Sequence, residues 1–162
     1  MSLVEKLRQP VVKSNNGLAW FSWALLLYFR CHVGWIFLKS GWWKLTNWEQ
    51  NLAVFEYEYQ VPLLHYELAA YLATFGELVF PVFLVLGLGT RYAAILVQFV
   101  NIVAVISYYP TLSKGAGLAL HELYGAMLLT CMVYGGGLIS LDHWLKGKFS
   151  RPDSAIARQS AA

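Results

Sequence analysis

The sequence predicts an all-α fold, a bundle of four transmembrane helices with a short amphipathic helix between the first and the second. Composition is the first indication: of the 162 residues, 58% are hydrophobic and 13% are charged. Soluble domains average roughly 45–50% apolar and about 25% charged residues. The second indication is four long apolar segments, since a helix needs roughly 20 such residues to cross about 30 Å of hydrocarbon.

The four segments cover residues 19–38, 63–87, 92–109 and 118–139. All of them are too long for strands, and helices satisfy their own backbone hydrogen bonds in lipid. We expect one membrane domain over residues 19–145. A cytoplasmic leader, residues 1–18, precedes it, and a basic, disordered tail, residues 146–162, follows it.

Several function classes are excluded by the same arithmetic. The apolar composition is not that of a disordered chain or a nucleic-acid-binding domain, although the net charge is +3. Cys31 and Cys131 are far apart and form no CxxC, so neither a disulfide scaffold nor a zinc motif is predicted. No metal site is predicted, because His32 does not share a helix face with Arg30 and the other polar residues. The N-terminus lacks the pattern of a cleaved signal peptide.

The basic residues predict the orientation in a bacterial inner (cytoplasmic) membrane. Four helices place both termini and the turn at residues 89–91 on one side, which carries eight Lys and Arg residues, whereas the opposite loops carry three. The positive-inside rule then makes both termini cytoplasmic.

The connection between the first two spans is predicted to contain a helix. Thr46 and Glu49 have the spacing of a capping box, and Trp48, Phe55 and Tyr59 fall on one apolar helical face. We expect this helix to lie on the outer membrane surface. Two interpretations stay open, a structural connector and a lid over a site between the helices.

Each span carries one stripe of polar or small residues, which we expect to face the bundle interior. At 1.5 Å per residue, Arg30 lies near the middle of the membrane and Glu77 within about one turn of it, so these two are predicted to pair. The pair either fixes helix register or forms part of a ligand site or proton path. The buried polar site candidates are Arg30, Glu77, Gln98 and Asn101.

A second polar cluster is predicted at the outer end of the bundle, where a site would open. No cofactor motif is present, so a redox role would need a diffusible quinone or a partner protein. The candidates for the outer cluster are Lys39, Lys44, Glu67, His121 and Glu122.

Residues 29–45, with Arg30, Gly34, Gly41 and the Lys44-Leu45 pair, resemble the first-helix pattern of DoxX proteins. Glu77 and the Leu-Gly-x-x-Thr-Arg turn at residues 86–91 are similar to the second motif of that family. The segments 47–62 and 137–142 further resemble the branch that accompanies copper-binding ribosomal-peptide (RiPP) maturation systems. The family residues map to Arg30, Gly34, Gly41, Lys44, Glu77 and Arg91.

The resemblance implies a four-helix inner-membrane protein, often a component of an oxidoreductase. The first hypothesis is an accessory component of a copper-binding peptide maturation or copper and oxidative stress pathway, with soluble peptide-modifying enzymes or a redox partner. The alternatives are a quinone-linked oxidoreductase subunit and a small-molecule carrier. The chain shows no catalytic motif that would decide whether it is an enzyme.

Overall fold

The computed structural model describes the backbone of residues 3–59, 61 and 63–149, and the side chains of residues 20–59, 61 and 63–148. Six helices account for nearly all of it, and the described residues contain no strand. Their bounds are α1 Leu3–Thr46, α2 Trp48–Tyr57, α3 Tyr66–Leu86, α4 Thr90–Leu112, α5 Gly117–Tyr134 and α6 Leu141–Phe149.

Four of these helices are long and apolar enough to span a membrane, which confirms the predicted all-α bundle. The spans are Trp20–Thr46, Tyr66–Leu86, Thr90–Leu112 and Gly117–Tyr134. Their outward faces carry exposed aromatic and aliphatic side chains such as Trp35, Phe75 and Ile95. We call the end with α2 and the α4–α5 turn the α2 end, and the opposite end the α6 end.

The predicted end of the first span is wrong. Helix α1 continues eight residues beyond residue 38, which moves its outer end by about 12 Å. Lys39, Trp42 and Lys44 suggested an earlier end, but nothing in that stretch breaks a helix, and Lys44 is buried against α3. The Arg30 side chain contacts the α6 end, where its Nη2 donates to the Ile139 carbonyl and its Nη1 lies close to Gly87.

Helices α1 and α3 run antiparallel in close contact. Gly41 makes this possible, because a Cβ there would lie 3.0 Å from the Glu77 carbonyl carbon and from Leu78 Cγ. Small residues allow such close approach between membrane helices. The main core joins α1, α3, α4 and α5 through Val33, Leu84, Val97 and Leu128.

Helix α2 packs into the bundle and does not lie apart from it on the surface. Phe55 and Asn51 are buried, Phe55 contacts Ala69 and Ala70 of α3, and Asn51 Nδ2 donates to Thr74 Oγ1 over 3.4 Å. The predicted capping box is absent, since Thr46 Oγ1 donates to the carbonyls of Trp42 and Trp43. Tertiary packing, more than local capping, positions this helix.

The chain after α5 turns sharply. The helix ends at Tyr134, five residues before the predicted end of the span, because Gly135 has a φ of 74°. Residues 146–148 belong to α6, so the first residues of the predicted tail are helical. Residues 150–162 lie outside the described part of the chain.

Candidate ligand-binding cavity

A cavity of about 450 Å³ lies in the half of the bundle toward the α2 end. Helices α1, α3 and α4 form its walls, α5 contributes His121 and Tyr124, and the end of α2 with the residues after it forms its roof. The volume falls in the range of small-molecule sites, roughly 300–1,000 Å³. Its lining is mainly apolar and includes six aromatic rings besides histidine, those of Phe37, Phe55, Tyr59, Phe99, Tyr108 and Tyr124.

A kink in α4 shapes one wall. Tyr108 has non-helical angles, φ −119° and ψ 16°, two residues before Pro110. Proline lacks the N–H for the helical hydrogen bond and its ring clashes with the preceding turn, which bends a helix. Ile106, Ser107 and Tyr108 all line the cavity at this bend.

The main polar feature of the cavity is an ion pair between Lys44 Nζ and Glu77 Oε1. The two side chains are only 9% and 5% exposed. The predicted pairing of Arg30 with Glu77 is thus wrong, because the longer α1 places Lys44 at the level of Glu77. The second carboxylate oxygen, Oε2, is buried and has no hydrogen-bond partner among the described residues.

Ser107 provides a second polar group on the opposite wall. It is 3% exposed, and its hydroxyl also lacks a partner within the described part of the chain. A buried polar atom without a partner costs free energy, roughly 1–3 kcal/mol. Two such atoms on residues that line one cavity indicate a place where a ligand could supply the missing hydrogen bonds.

His121 is held in the wall by Asn101. Asn101 Nδ2 donates to the His121 carbonyl over 3.1 Å, which leaves Asn101 Oδ1 to accept from His121 Nδ1 at 2.7 Å. In the neutral ring, protonated Nδ1 makes Nε2 a hydrogen-bond acceptor. His121 lines the cavity, whereas Asn101 acts from behind it.

The roof is built from aromatic contacts. The Tyr59 ring lies 4.6 Å from Phe55 and 4.7 Å from Tyr108, measured between centroids. Tyr108 Oη donates to Glu58 Oε2 over 2.8 Å, which ties the roof to α4. Burial, with the nearby negative charge of Glu77, raises the pKa of Tyr59 to about 12, so its hydroxyl stays protonated near neutral pH. These contacts favour the lid interpretation of this segment over that of a plain connector.

We infer that the cavity opens between α3 and α4, because exposed side chains of both helices line it. Three of its lining residues are exposed there, Leu72 at 52%, Phe99 at 64% and Ile106 at 56%. An apolar tail could therefore extend into the bilayer from a head group held near Glu77.

The other predicted site residues are placed elsewhere. Of the outer cluster, Lys44 and His121 line the cavity, whereas Lys39, Glu67 and Glu122 are exposed outside it. Gln98 is half-buried near Gly125, and its Oε1 has no described partner. Ser107 was not predicted from the sequence, and the signal that points to it is Pro110, which marks a bend inside a span.

A second depression is an open groove at α1, lined by Tyr28, Cys31, His32, Trp35, Leu38 and Val85. Among the described residues that line it, the ionisable side chains are Tyr28, Cys31 and His32, and none of these forms an ion pair there. Within the described residues, no group of three or more His, Cys, Asp or Glu side chains could hold a metal ion.

Comparison with protein families gives a match for the membrane part of the chain. The family model described as DoxX matches residues 25–110, which is more than half of the chain. The chain belongs to the DoxX family. Searches of curated proteins and of solved structures found no match to it.

In this DoxX chain, the residues that resemble the family motifs separate into two groups. Lys44, Glu77 and Gly41 belong to the cavity or its walls, near the α2 end. Arg30 and the turn that begins at Gly87 belong to the α6 end, where the two are packed against each other.

The α6 end is a tightly packed junction. Arg30 is 1% exposed and donates through Nη2 to the Ile139 carbonyl, whereas its Nε and Nη1 have no hydrogen-bond partner among the described residues. The Asp142 carboxylate accepts from the N–H groups of Gly89 and Thr90, at 2.7 and 2.8 Å, and from the Thr90 hydroxyl at 2.9 Å. Burial opposes ionisation of Asp142, but these hydrogen bonds outweigh it and lower its pKa. This carboxylate supplies the cap that the N-terminus of α4 lacks locally.

Proposed function

We propose that this DoxX protein binds a lipid-soluble molecule with a polar aromatic head group, a member of a quinone–quinol couple being the leading candidate, in the cavity at the α2 end. One observation carries the proposal. The buried Glu77 carboxylate, whose Oε2 has no partner among the described residues, lies in the wall of a mainly apolar cavity that is lined partly by exposed side chains of α3 and α4.

The physical match is to an amphiphile. Ligand sites combine apolar walls with a few well-placed polar groups, and here Lys44, Glu77, Ser107 and His121 are those groups. Aromatic rings prefer offset or edge-on contact with other rings, which the lining from Phe37 to Tyr124 offers a planar head group. The opening between α3 and α4 suits a ligand that arrives from the bilayer. Such binding would serve a quinone-linked oxidoreductase subunit or a carrier.

The test is to fill the cavity and measure what purifies with the protein. Ala104 lines the cavity, whereas Ala126 is exposed on α5, so Ala104→Phe and Ala126→Phe form a matched pair. Each protein is purified in mild detergent, extracted with organic solvent and analysed for quinones by mass spectrometry. We expect near-stoichiometric quinone with the unmodified chain and Ala126→Phe, and a several-fold loss with Ala104→Phe. Equal trace amounts in all three would contradict the proposal.

A second candidate is the accessory role in copper-binding peptide maturation. What favours it is the position of the segment 47–62, which is one of the two segments that resemble that branch specifically. This segment supplies Phe55, Tyr59 and Val61 to the cavity. In a strain lacking the gene, Phe55→Ala should then impair peptide modification, and Glu77→Gln should leave it nearly intact. Rescue by both variants equal to that by the unmodified gene would contradict this role.

We also propose an inner-membrane location with both termini in the cytoplasm, supported by the eight-to-three distribution of basic residues. Cysteines at Ser14, Gln50 and Ser154, in a chain with Cys31→Ser and Cys131→Ser, can be tested with an impermeant thiol reagent. Gln50 is exposed, whereas its neighbour Asn51 is buried and would not report. In intact cells only Gln50→Cys should react. Labelling of the other two positions instead would reverse the orientation.

A further inference from the structure

We propose that the head group bound in the cavity is a hydrogen-bond donor, a hydroxylated aromatic ring such as a phenol or quinol. Its O–H group donates a hydrogen bond to Glu77 Oε2. The inference rests on the proposed function, ligand binding in this cavity, and adds to it the chemical form of the ligand. It concerns selectivity between two forms that have nearly the same shape.

The argument begins with the donors and acceptors that line the cavity. Glu77 forms an ion pair with Lys44 through Oε1, and an ionised carboxylate has acceptors only. Its Oε2 is buried without a partner among the described residues. A ligand that satisfies Oε2 must therefore bring an O–H or N–H group.

His121 adds a second acceptor. Its Nδ1 is committed to Asn101 Oδ1, so the neutral ring offers Nε2 as an acceptor. Ser107 Oγ, also unpartnered, can accept or donate. The polar groups of the wall that lack a partner are thus mainly acceptors, which need hydrogen-bond donors from a ligand.

Lys44 remains available as a donor, so the cavity could also hold a carbonyl. A hydroxyl both donates and accepts, and can bond Glu77 Oε2 and Lys44 together. A quinone carbonyl only accepts: it could bond Lys44, but it would turn its lone pairs toward Oε2 and leave that oxygen desolvated. Hydrogen bonds to charged groups contribute more than neutral ones, so the hydroxylated form is favoured by at least about tenfold.

Three probes of matched shape separate these cases, namely a decyl-tailed benzoquinol, the corresponding benzoquinone, and the dimethyl ether of the quinol. The ether keeps the ring and tail but has no donor. Affinities are measured by anaerobic calorimetry with the full-length protein in detergent micelles, with protein-free micelles as the blank. We expect the quinol to bind at least about tenfold more tightly than the quinone or the ether.

The variant Glu77→Gln sharpens the test. In this variant the amide oxygen accepts the hydrogen bond from the Lys44 ammonium. The amide NH2 then stands where Oε2 was, so a hydrogen-bond donor replaces the acceptor. The preference should then reverse, with the quinone binding more tightly than the quinol. Glu67→Gln, on the same helix but exposed and outside the cavity, should keep the preference of the unmodified protein.

The outcomes separate the two proposals. If the unmodified protein binds the ether or the quinone as tightly as the quinol, the donor requirement is wrong, while ligand binding stands. If it binds none of the three probes, the proposed function itself fails. Should Glu77→Gln not fold, the comparison of quinol and ether on the unmodified protein still decides the inference.

Discussion

The two ends of the bundle use similar residues for different purposes. Helix α1 carries a buried cation toward each end, Arg30 and Lys44, and each lies against α3 or the turn after it. At the α6 end the polar groups bond to the backbone: Arg30 to the Ile139 carbonyl, Asp142 to the N–H groups of Gly89 and Thr90. At the α2 end, Lys44 and Glu77 bond to each other in the wall of a cavity.

What surrounds each charge decides its role. At the α6 end, a Cβ on Gly87 would clash with Arg30 Nη1 and would lie 2.7 Å from Ser140 Cβ, so the turn packs directly against this cation, whose Nε and Nη1 have no hydrogen-bond partner among the described residues. At the α2 end, the kink at Tyr108 and the roof from α2 leave space beside Glu77. A buried charged residue in a membrane helix marks a candidate site, and the cavity distinguishes a binding site from a structural junction.

The largest effect expected is at the ion pair. Lys44→Met leaves the Glu77 carboxylate buried without its partner, which should lower the free energy of unfolding by about 3–5 kcal/mol. The double variant Lys44→Met/Glu77→Leu should recover most of that loss, because both charges are gone. Unfolding in mixed detergent micelles measures each difference.

The matching control uses the other cation. Arg30→Met combined with Glu77→Leu should show additive losses, since these residues do not contact. Recovery in this second pair and additivity in the first would restore the pairing expected from the sequence and overturn the comparison of the two ends.

The glycines of the turn at residues 87–89 test how closely the α6 end is packed. Gly87 has a φ of 71° and close neighbours, so Gly87→Ala should cost about 1–2 kcal/mol for the left-handed backbone and about 1–3 kcal/mol for overpacking. Gly89 has a φ of 57° but nothing within 4 Å of a Cβ, so Gly89→Ala should cost only the free energy of the left-handed backbone. Thermal unfolding followed by size-exclusion chromatography compares them; equal losses would show that packing contributes nothing there.

A smaller effect is expected from the cap of α4. Asp142→Ala removes the acceptors of three hydrogen bonds and should cost about 1–2 kcal/mol, as the loss of a helix cap does. Because the folded-state pKa of Asp142 lies below its ordinary value of 3.8, its contribution is complete at neutral pH. It is lost as the pH falls below that value toward the lowered pKa. Unfolding measured from pH 7 to pH 3 should show the difference between the variant and the unmodified protein shrinking, and a constant difference would contradict the role of the ionised carboxylate.

Most of the fold could be predicted from hydropathy, because lipid leaves helices as nearly the only solution for an apolar segment. The number of spans and the helix from Trp48 followed from length and periodicity. The end of α1 could not be predicted in this way. Lys44 is a charged residue that suggests a helix end, but it is buried because it pairs with Glu77, which is 33 residues away in the sequence. The end of the first span was placed about 12 Å too early, which led to the wrong partner for Glu77.

The cavity could be predicted only in part. Phe55, Tyr59, Lys44 and His121 were expected near the outer end, and they do line it. Its space, however, depends on the bend that Pro110 marks, which was not used as a signal, and on how deeply α2 packs, which no local pattern encodes. The unpartnered oxygen of Glu77 is a property of three-dimensional packing alone.

Photolabelling tests the central claim, that the cavity and not the groove or the lipid surface holds the ligand, most directly. A decyl-tailed azidoquinone is bound to the protein in detergent, irradiated, and its adducts are located by peptide mass spectrometry. Labelling should concentrate on lining residues such as Tyr59, Phe99 and Tyr108, and an excess of unlabelled decyl-quinol should suppress it. Adducts concentrated at Tyr28 and Trp35 of the open groove, or spread evenly over the exposed apolar faces, would contradict the account.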